Sequence, residues 1–375
     1  LNNVNAKPLM LSKNKLKETK RIADALRPYG IKVYLSVNFA SPKVLGGLKT
    51  ADPLDKKVQQ WWAKKAKEIY SLIPDFGGFL VKANSEGQPG PMDYGRNHTD
   101  GANMLADALT KGWRNAGLEG KTAQPIVMWR AFVYSPKAGD RASQAYDEFM
   151  PFDGLFRDNV IIQIKLSPVD FQPREPVNPL LFAMKKTKMM IEVQLTQEYT
   201  GESIHTCFMP FDDNMISLLR HPTENIVGIA GVSNIGDMKN WCGSEMTKAN
   251  WYAFGKLASN LSLSKETIAR EWLAKNFDTT DPRFINPMTR VLLESHEAVV
   301  RYMMPLGLHH IFAAGHHYGP EPWCNIKGGR DDWQPWYYHK ADAQGLGFNR
   351  TYDGEFHDVK PGFGVNIGSG NARLY

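Results

Sequence analysis

Ile31-Lys32-Val33-Tyr34-Leu35-Ser36-Val37 and Gly78-Phe79-Leu80-Val81-Lys82-Ala83-Asn84 decide the fold, together with what separates them. Each run is largely apolar without strict alternation, which is how a strand covered on both faces reads. Between them, over 53–71, Trp61, Trp62, Ala66, Ile69 and Tyr70 recur among lysines at helical spacing. Strand, helix, strand is a crossover unit, and a crossover joins parallel strands.

The same alternation continues in both directions. Upstream, 13–29 reads as a charged, periodic helix closed by Gly30. Downstream come a Gly/Pro-rich loop at 86–91, a helix at 102–116, a strand at 125–133 and a short helix at 143–149. Further strands follow at 159–165, 190–195 and 226–232. Counting a strand remnant at 1–5, the pattern predicts an α/β fold, a (β/α)8 TIM barrel lacking its first strand. A doubly wound sheet would call for a glycine-rich phosphate turn, and neither GxGxxG nor GxxxxGKS occurs. Past about 240 the strands stop, and amphipathic helices at 248–261, 265–277 and 290–306 take over. The expected division is therefore a barrel at 1–241 and a mostly helical C-terminal region at 242–375, with 352–375 unassigned.

With 42% hydrophobic and 22% charged residues in 375, the composition excludes disordered and collagen-like chains. Lys and Arg total 45 against 39 Asp and Glu, a net charge of +6 spread along the chain rather than gathered in a stripe. That argues against a nucleic-acid partner and suits an acidic small substrate or a solvated basic surface equally well. No apolar run approaches the ~18 residues of a membrane span, so no membrane is expected. The 3 cysteines, Cys207, Cys242 and Cys324, are far apart with no CxxC spacing and read as ordinary thiols. The chain opens on Leu1 in what reads as the end of a strand, the sign of an internal fragment. The compartment is then not readable, and cytoplasmic, periplasmic and secreted locations all stay open.

In a parallel barrel, chemistry gathers at the C-terminal ends of the strands. The residues there include Asn2, Asn3, Val4, Asn5, Asn38, Lys82, Asn84, Glu86, Trp129 and Arg130, then Lys165, Asp170, Gln197, Glu198, Ser233 and Asn234. Carboxylates with amides and an aromatic floor are the parts of a glycoside hydrolase, in which one acid protonates the leaving oxygen and one base activates water. Three cations on the same rim point to a negatively charged sugar, or else simply balance the carboxylates. No HExxH occurs and no His stands at a strand end, so no metal is expected. A metal-dependent barrel hydrolase using His316 and His317 remains an alternative. So does a carbohydrate-binding relative that has lost catalysis through truncation.

Several motifs go further than these general features. Asn2-Asn3-Val4-Asn5-Ala6, Val81-Lys82-Ala83-Asn84-Ser85-Glu86-Gly87-Gln88-Pro89-Gly90-Pro91, Asp170-Phe171-Gln172-Pro173-Arg174-Glu175-Pro176, Thr196-Gln197-Glu198-Tyr199 and His316-His317-Tyr318-Gly319-Pro320 resemble the α-glucuronidases of glycoside hydrolase family 67. The resemblance covers the chain to about Thr351. It implies a barrel followed by a helical domain, and release of (4-O-methyl-)glucuronic acid from the non-reducing end of xylooligosaccharides, with inversion and no cofactor. It implies Glu86 as the catalytic acid, with Asp170 and Glu198 as the two carboxylates from which the base is drawn. Lys82, Arg130 and Lys165 would surround the uronic carboxylate, Val4 would accept the methyl group, and Trp333 would line the pocket. The partner is then a glucuronic-acid-substituted xylooligosaccharide, with a homodimer as an option for the full-length protein. Lys165-Leu166-Ser167-Pro168 departs from the family's usual Lys-Asn-Gly-Pro, and Asn349 stands where Asp is expected.

These roles carry physical expectations. Lys82, Asn84 and Glu86 share one parity and, on an extended strand, would point to one side. Glu86 as acid needs burial or a neighbouring carboxylate, whereas a base is helped by a cation such as Lys165. Arg130 can grip a carboxylate with two parallel hydrogen bonds. Inversion sets the acid and base carboxyls ~6.5–9.5 Å apart.

Overall fold

The structure, a computed structural model, describes residues 8–132, 144–168, 172–175, 177–195, 198–201, 204–210, 213–220, 224–233, 244–304, 312, 317, 319–321, 324–329, 334–335, 339–342 and 345–348. Its strands are β1 (Tyr34–Val37), β2 (Gly78–Val81), β3 (Ile126–Arg130), β4 (Val160–Lys165), β5 (Met189–Gln194), β6 (Ile226–Val232), β7 (His339–Asp342) and β8 (Gly345–Phe348). Its α-helices are α1 (Lys13–Leu26), α2 (Ser41–Val44), α3 (Lys56–Leu72), α4 (His98–Asn115), α5 (Gln144–Phe149), α6 (Leu180–Ala183), α7 (Asp213–Arg220), α8 (Lys248–Ser259), α9 (Lys265–Asn276) and α10 (Pro282–Met303).

Six strands form one sheet in the order β1-β2-β3-β4-β5-β6. The first three pairings are parallel, with Tyr34 opposite Gly78, Gly78 opposite Ile126 and Val127 opposite Val160. The Ile162 and Leu166 amides donate to the Lys188 and Glu192 carbonyls, both at 2.9 Å, and Leu195 donates to Val232 at 2.7 Å. Strands that pair in strict chain order show no reversal, so the sheet is not the doubly wound kind, whose order switches direction midway. It is α/β, as expected, with six of the strands a (β/α)8 barrel would contribute. The seventh, at 1–5, lies outside the described residues, as does the tail at 352–375.

The chain divides into two compact units, Leu1–Tyr134 with Asp147–Ile164 and Ala183–Met190, and Ser135–Tyr146 with Lys165–Phe182 and Ile191–Tyr375. In the first, α3 starts at Lys56 because the Asp55 carboxylate accepts the amides of Lys57 and Val58. α3 lies against α4, where a Cβ on Gly112 would come within 2.4 Å of the Ala66 Cβ; glycine lets the helices close. Under them Phe79 of β2 meets Trp62 and Phe76 edge-on, at 5.7 and 5.8 Å between ring centroids.

In the second unit, α8, α9 and α10 follow one another without an intervening strand. α10 begins at Pro282, well before the expected 290. Asp281 caps it, Pro282 takes the favourable first position, and Pro287 is tolerated inside it. Ile285, Thr289, Leu292, Ser295, Val299, Val300 and Met303 are buried along one face, and that burial carries the helix past the proline. β7 and β8 pair antiparallel within the C-terminal region that the sequence suggests is mostly helical.

Candidate functional site

Lys82 follows the last residue of β2 and is almost fully buried, at 3% exposure. A buried ammonium needs an anion, and Lys82 forms an ion pair with Glu86, whose side chain is 28% exposed. The parity expected for Lys82, Asn84 and Glu86 does not apply, because β2 stops at Val81 and the chain leaves the extended conformation. Asn84 and Glu86 both adopt the left-handed region, at φ of 52° and 48°. Non-glycine residues are uncommon there and must be held by their surroundings. The hold is visible. Asn84 accepts the Met92 amide at 2.9 Å and donates to Asp93 at 3.0 Å, while Asp93 accepts the Gly90 amide at 3.1 Å. A Cβ on Gly90 would lie 2.0 Å from the Asn84 side-chain oxygen, so the loop closes only around glycine. Asn84 thus organises the loop, and Glu86 is folded back onto Lys82.

Arg130 ends β3 and is 6% exposed. Its guanidinium carbon lies 4.5 Å from the ring centroid of Phe132, and the Lys82 ammonium lies 4.2 Å from the same ring. One aromatic face system therefore serves two cations, each attracted by the ring quadrupole. Sequence reading passed over Phe132, although its parity with Arg130 was a usable signal. The neighbouring Trp129 is fully buried and donates its indole N–H to Nδ1 of His98 at 3.2 Å. An indole only donates, so the His98 hydrogen sits on Nε2, which faces Glu148 Oε1 at 2.5 Å. His98 also stacks on Phe149 at 4.4 Å. This chain of contacts buttresses the end of β3 next to Arg130.

In the second unit Lys165 ends β4 and is 7% exposed. The Leu166 amide bond to the Glu192 carbonyl is the ladder bond that sets Lys165 beside Glu192 on one face of the sheet. Glu192 is completely buried. A charged residue in the apolar run Met190-Ile191-Glu192-Val193 was the available signal, and it was not singled out.

Glu198 opens a turn beyond β5, with its side chain 35% exposed. His317 Nδ1 lies 3.3 Å from Glu198 Oε1. Tyr199 belongs to a buried cluster with Cys207, Val299, Val300, Met303, Met304 and Phe312. Burial pushes the Cys207 thiol well above its ordinary value. The stretch after Asp170 is tied to the same helix. The Arg174 amide donates to Met304 Sδ, the Arg174 guanidinium pairs with Glu297, and His296 Nε2 donates to the Pro173 carbonyl at 2.5 Å. α10 is thus a common platform for residues 172–175 and for the Glu198 turn. Asp170 itself, Val4, Trp333 and His316 lie outside the described residues. Among the described residues no three His, Cys, Asp or Glu side chains gather as metal ligands would.

Buried cations at the carboxyl ends of parallel strands, Lys82, Arg130 and Lys165, place this chain among α/β proteins whose chemistry lies at the strand ends. Residues 1–241 match the glycosyl hydrolase family 67 middle domain and residues 242–358 the glycosyl hydrolase family 67 C-terminus. The chain belongs to glycoside hydrolase family 67. It is 40% identical to a probable α-glucuronidase A of Aspergillus clavatus over 94% of this chain and 43% of that protein. It is 39% identical to α-glucuronidase A of Emericella nidulans, over 100% of this chain and 44% of that protein. The α-glucuronidase of Hypocrea jecorina is 38% identical, over 100% of this chain and 43% of its own length. The chain therefore spans less than half the length of these relatives. Among solved structures, a GH138 enzyme targeting pectin rhamnogalacturonan II aligns with a TM-score of 0.48 at 13% identity, covering 80% of this chain and 45% of that one.

Proposed function

We propose that this chain carries the catalytic barrel of an α-glucuronidase, at 1–241, and part of the helical region that supports it, at 242–375. The reaction is release of (4-O-methyl-)glucuronic acid from the non-reducing end of glucuronoxylan-derived xylooligosaccharides, with inversion and no cofactor. The names of the relatives support the activity. The observation that carries it to particular residues is the pair of cations Lys82 and Arg130 on Phe132, with Glu86 ion-paired to Lys82.

A uronate loses its water on entering a pocket and needs cations in return. Arg130 offers a planar fork that fixes orientation as well as charge, and Lys82 adds a point charge beside it. Glu86 is ion-paired with Lys82 rather than buried beside a carboxylate; once the uronate takes over Lys82, Glu86 is released to take up a proton and pass it to the leaving xylose oxygen. The family resemblance adds Lys165 as a further cation for the uronate, Val4 for the methyl group and Trp333 for the sugar. Asp170 and Glu198 supply the base that takes a proton from water as its oxygen attacks the anomeric carbon. The test is incubation with aldouronic acids while proton NMR follows the free sugar. Methylglucuronic acid appearing first as the β-anomer supports the reading, and the α-anomer first overturns inversion. Binding without release leaves only a carbohydrate-binding relative.

A further inference from the structure

Resting on that function, we propose that His317 is a positioning residue: its Nδ1 lies 3.3 Å from Glu198 Oε1, and a small turn of the Glu198 side chain closes that contact into an Nδ1–H hydrogen bond that fixes the carboxylate for its part in activating water. The imidazole stacks on Tyr199, with centroids 4.7 Å apart and planes 21° apart, and meets Phe312 at 4.2 Å and 58°. Tyr199 and Phe312 are themselves in contact at 5.1 Å, so three rings lock one another. The lock is anchored twice. Tyr199 and Phe312 pack into the buried cluster at the end of α10, and Phe312 pairs with Pro320 in an antiparallel bridge that brackets His317 in the chain. Tyr199 is also the residue next to Glu198, so the ring stack sets the imidazole and the carboxylate in one frame.

A glutamate on a turn has three side-chain torsions and, at 35% exposure, room to use them. Water activation needs one oxygen at hydrogen-bond distance from the attacking water. A hydrogen bond from a ring that cannot turn removes most of that freedom. It divides the carboxylate: Oε1 accepts from His317 and Oε2 receives the water proton.

Three variants of the full chain separate this role from a merely structural one, with kcat and KM measured on aldouronic acids. His317→Asn places an amide N–H where Nδ1 stands and retains most of kcat. His317→Gln puts its amide at the Nε2 position, and His317→Phe keeps the ring stack without a donor. Both lose kcat on the order of 10–100-fold, the scale set by misplacing a reacting group by about an ångström, with KM little changed. Full kcat in H317F, or equal kcat in H317N and H317Q, overturns the proposal; the N/Q pair decides even where H317F does not fold. Long-range proton–nitrogen NMR of histidine-labelled protein supplies a readout independent of turnover. The expected form of His317 carries its hydrogen on Nδ1, with a signal that moves in Glu198→Gln. A hydrogen on Nε2 with none on Nδ1 sinks the proposal. If the unaltered chain releases no sugar, the function is wrong, and the tautomer still decides whether His317 holds Glu198.

Discussion

Lys82 and Glu86 are four residues apart and ion-paired, yet no helix joins them. The chain between them leaves β2 and turns through left-handed Asn84 and Glu86, and the loop is tied by Asn84 and Asp93. The turn does what an (i, i+4) helical pair does elsewhere, but it leaves the carboxylate beyond the end of β2, on the ammonium that lies over Phe132. It also gives Glu86 two duties, one toward a buried ammonium and one toward the proposed substrate.

Those duties separate by substitution. Glu86→Ala should lower turnover of aldouronic acids ~10²–10⁴-fold while sparing aryl glucuronides with good leaving groups, which need little protonation. It should also destabilise the fold, by about 1–3 kcal/mol, because Lys82 loses its carboxylate partner. Glu86→Gln should keep more of the stability and none of the proton donation. Equal kinetic losses on both substrates would remove Glu86 from the acid role; paired assays and denaturant melts check both halves.

Arg130 and Phe132 should affect affinity more than folding. Arg130→Ala should depress kcat/KM for glucuronides far more than it shifts the melting temperature, since a desolvated carboxylate loses its fork. Phe132→Leu keeps the volume but removes the ring face, and should weaken uronate binding by about 0.5–2 kcal/mol, up to roughly thirty-fold. Calorimetric titration with glucuronic acid, set against glucose as a neutral control, reads this directly. An F132L variant that binds as tightly as the unaltered chain would leave the ring a packing role only.

Asp153 gives the fold a pH dependence. Burial alone would raise its pKa, but the backbone amides of Lys185, Lys186 and Thr187 bond the carboxylate and the net direction is down. A folded-state pKa below the unfolded one adds stability above the unfolded value of 3.8, and that stability is lost as pH falls through the lower, folded value. Asp153→Asn should therefore lower the urea midpoint at pH 7 and narrow the difference between pH 7 and pH 3. An unchanged difference would show that the Asp153 contacts do not survive in solution.

The thiols report on α10. Cys207 is buried in the cluster with Val299, Val300 and Met303, and its raised pKa keeps it protonated, whereas Cys324 is half-exposed. A maleimide should label Cys324 in the native protein and reach Cys207 only when the cluster opens. Met303→Ala should speed that step, as a cavity there weakens the packing. Mass spectrometry of timed digests distinguishes the two sites. Prompt labelling of Cys207 in the folded chain would contradict the packing of α10 on the Glu198 turn.

Local pattern alone determined the order and kind of the elements. The apolar runs at 31–37 and 78–84, with a periodic helix between them, are sufficient for a parallel sheet, and a parallel sheet points to its strand ends for the chemistry. Lys82, Arg130 and Lys165 were legible for that reason, being cations just where apolar runs stop. α10 was only half legible, because Pro287 interrupts a helical pattern that burial then overrides. The contacts that make a site could not be read in this way. Whether Glu86 meets Lys82 depends on two left-handed residues held by a loop, and whether Phe132 serves one cation or two depends on the neighbouring strand. Glu192 comes to stand beside Lys165 only through the register of β4 and β5, and His317 meets Glu198 only because three rings from distant parts of the chain stack on the end of α10. Periodicity is a property of neighbours in sequence; a salt bridge or a ring stack belongs to neighbours in space, and the packed fold alone decides which those are.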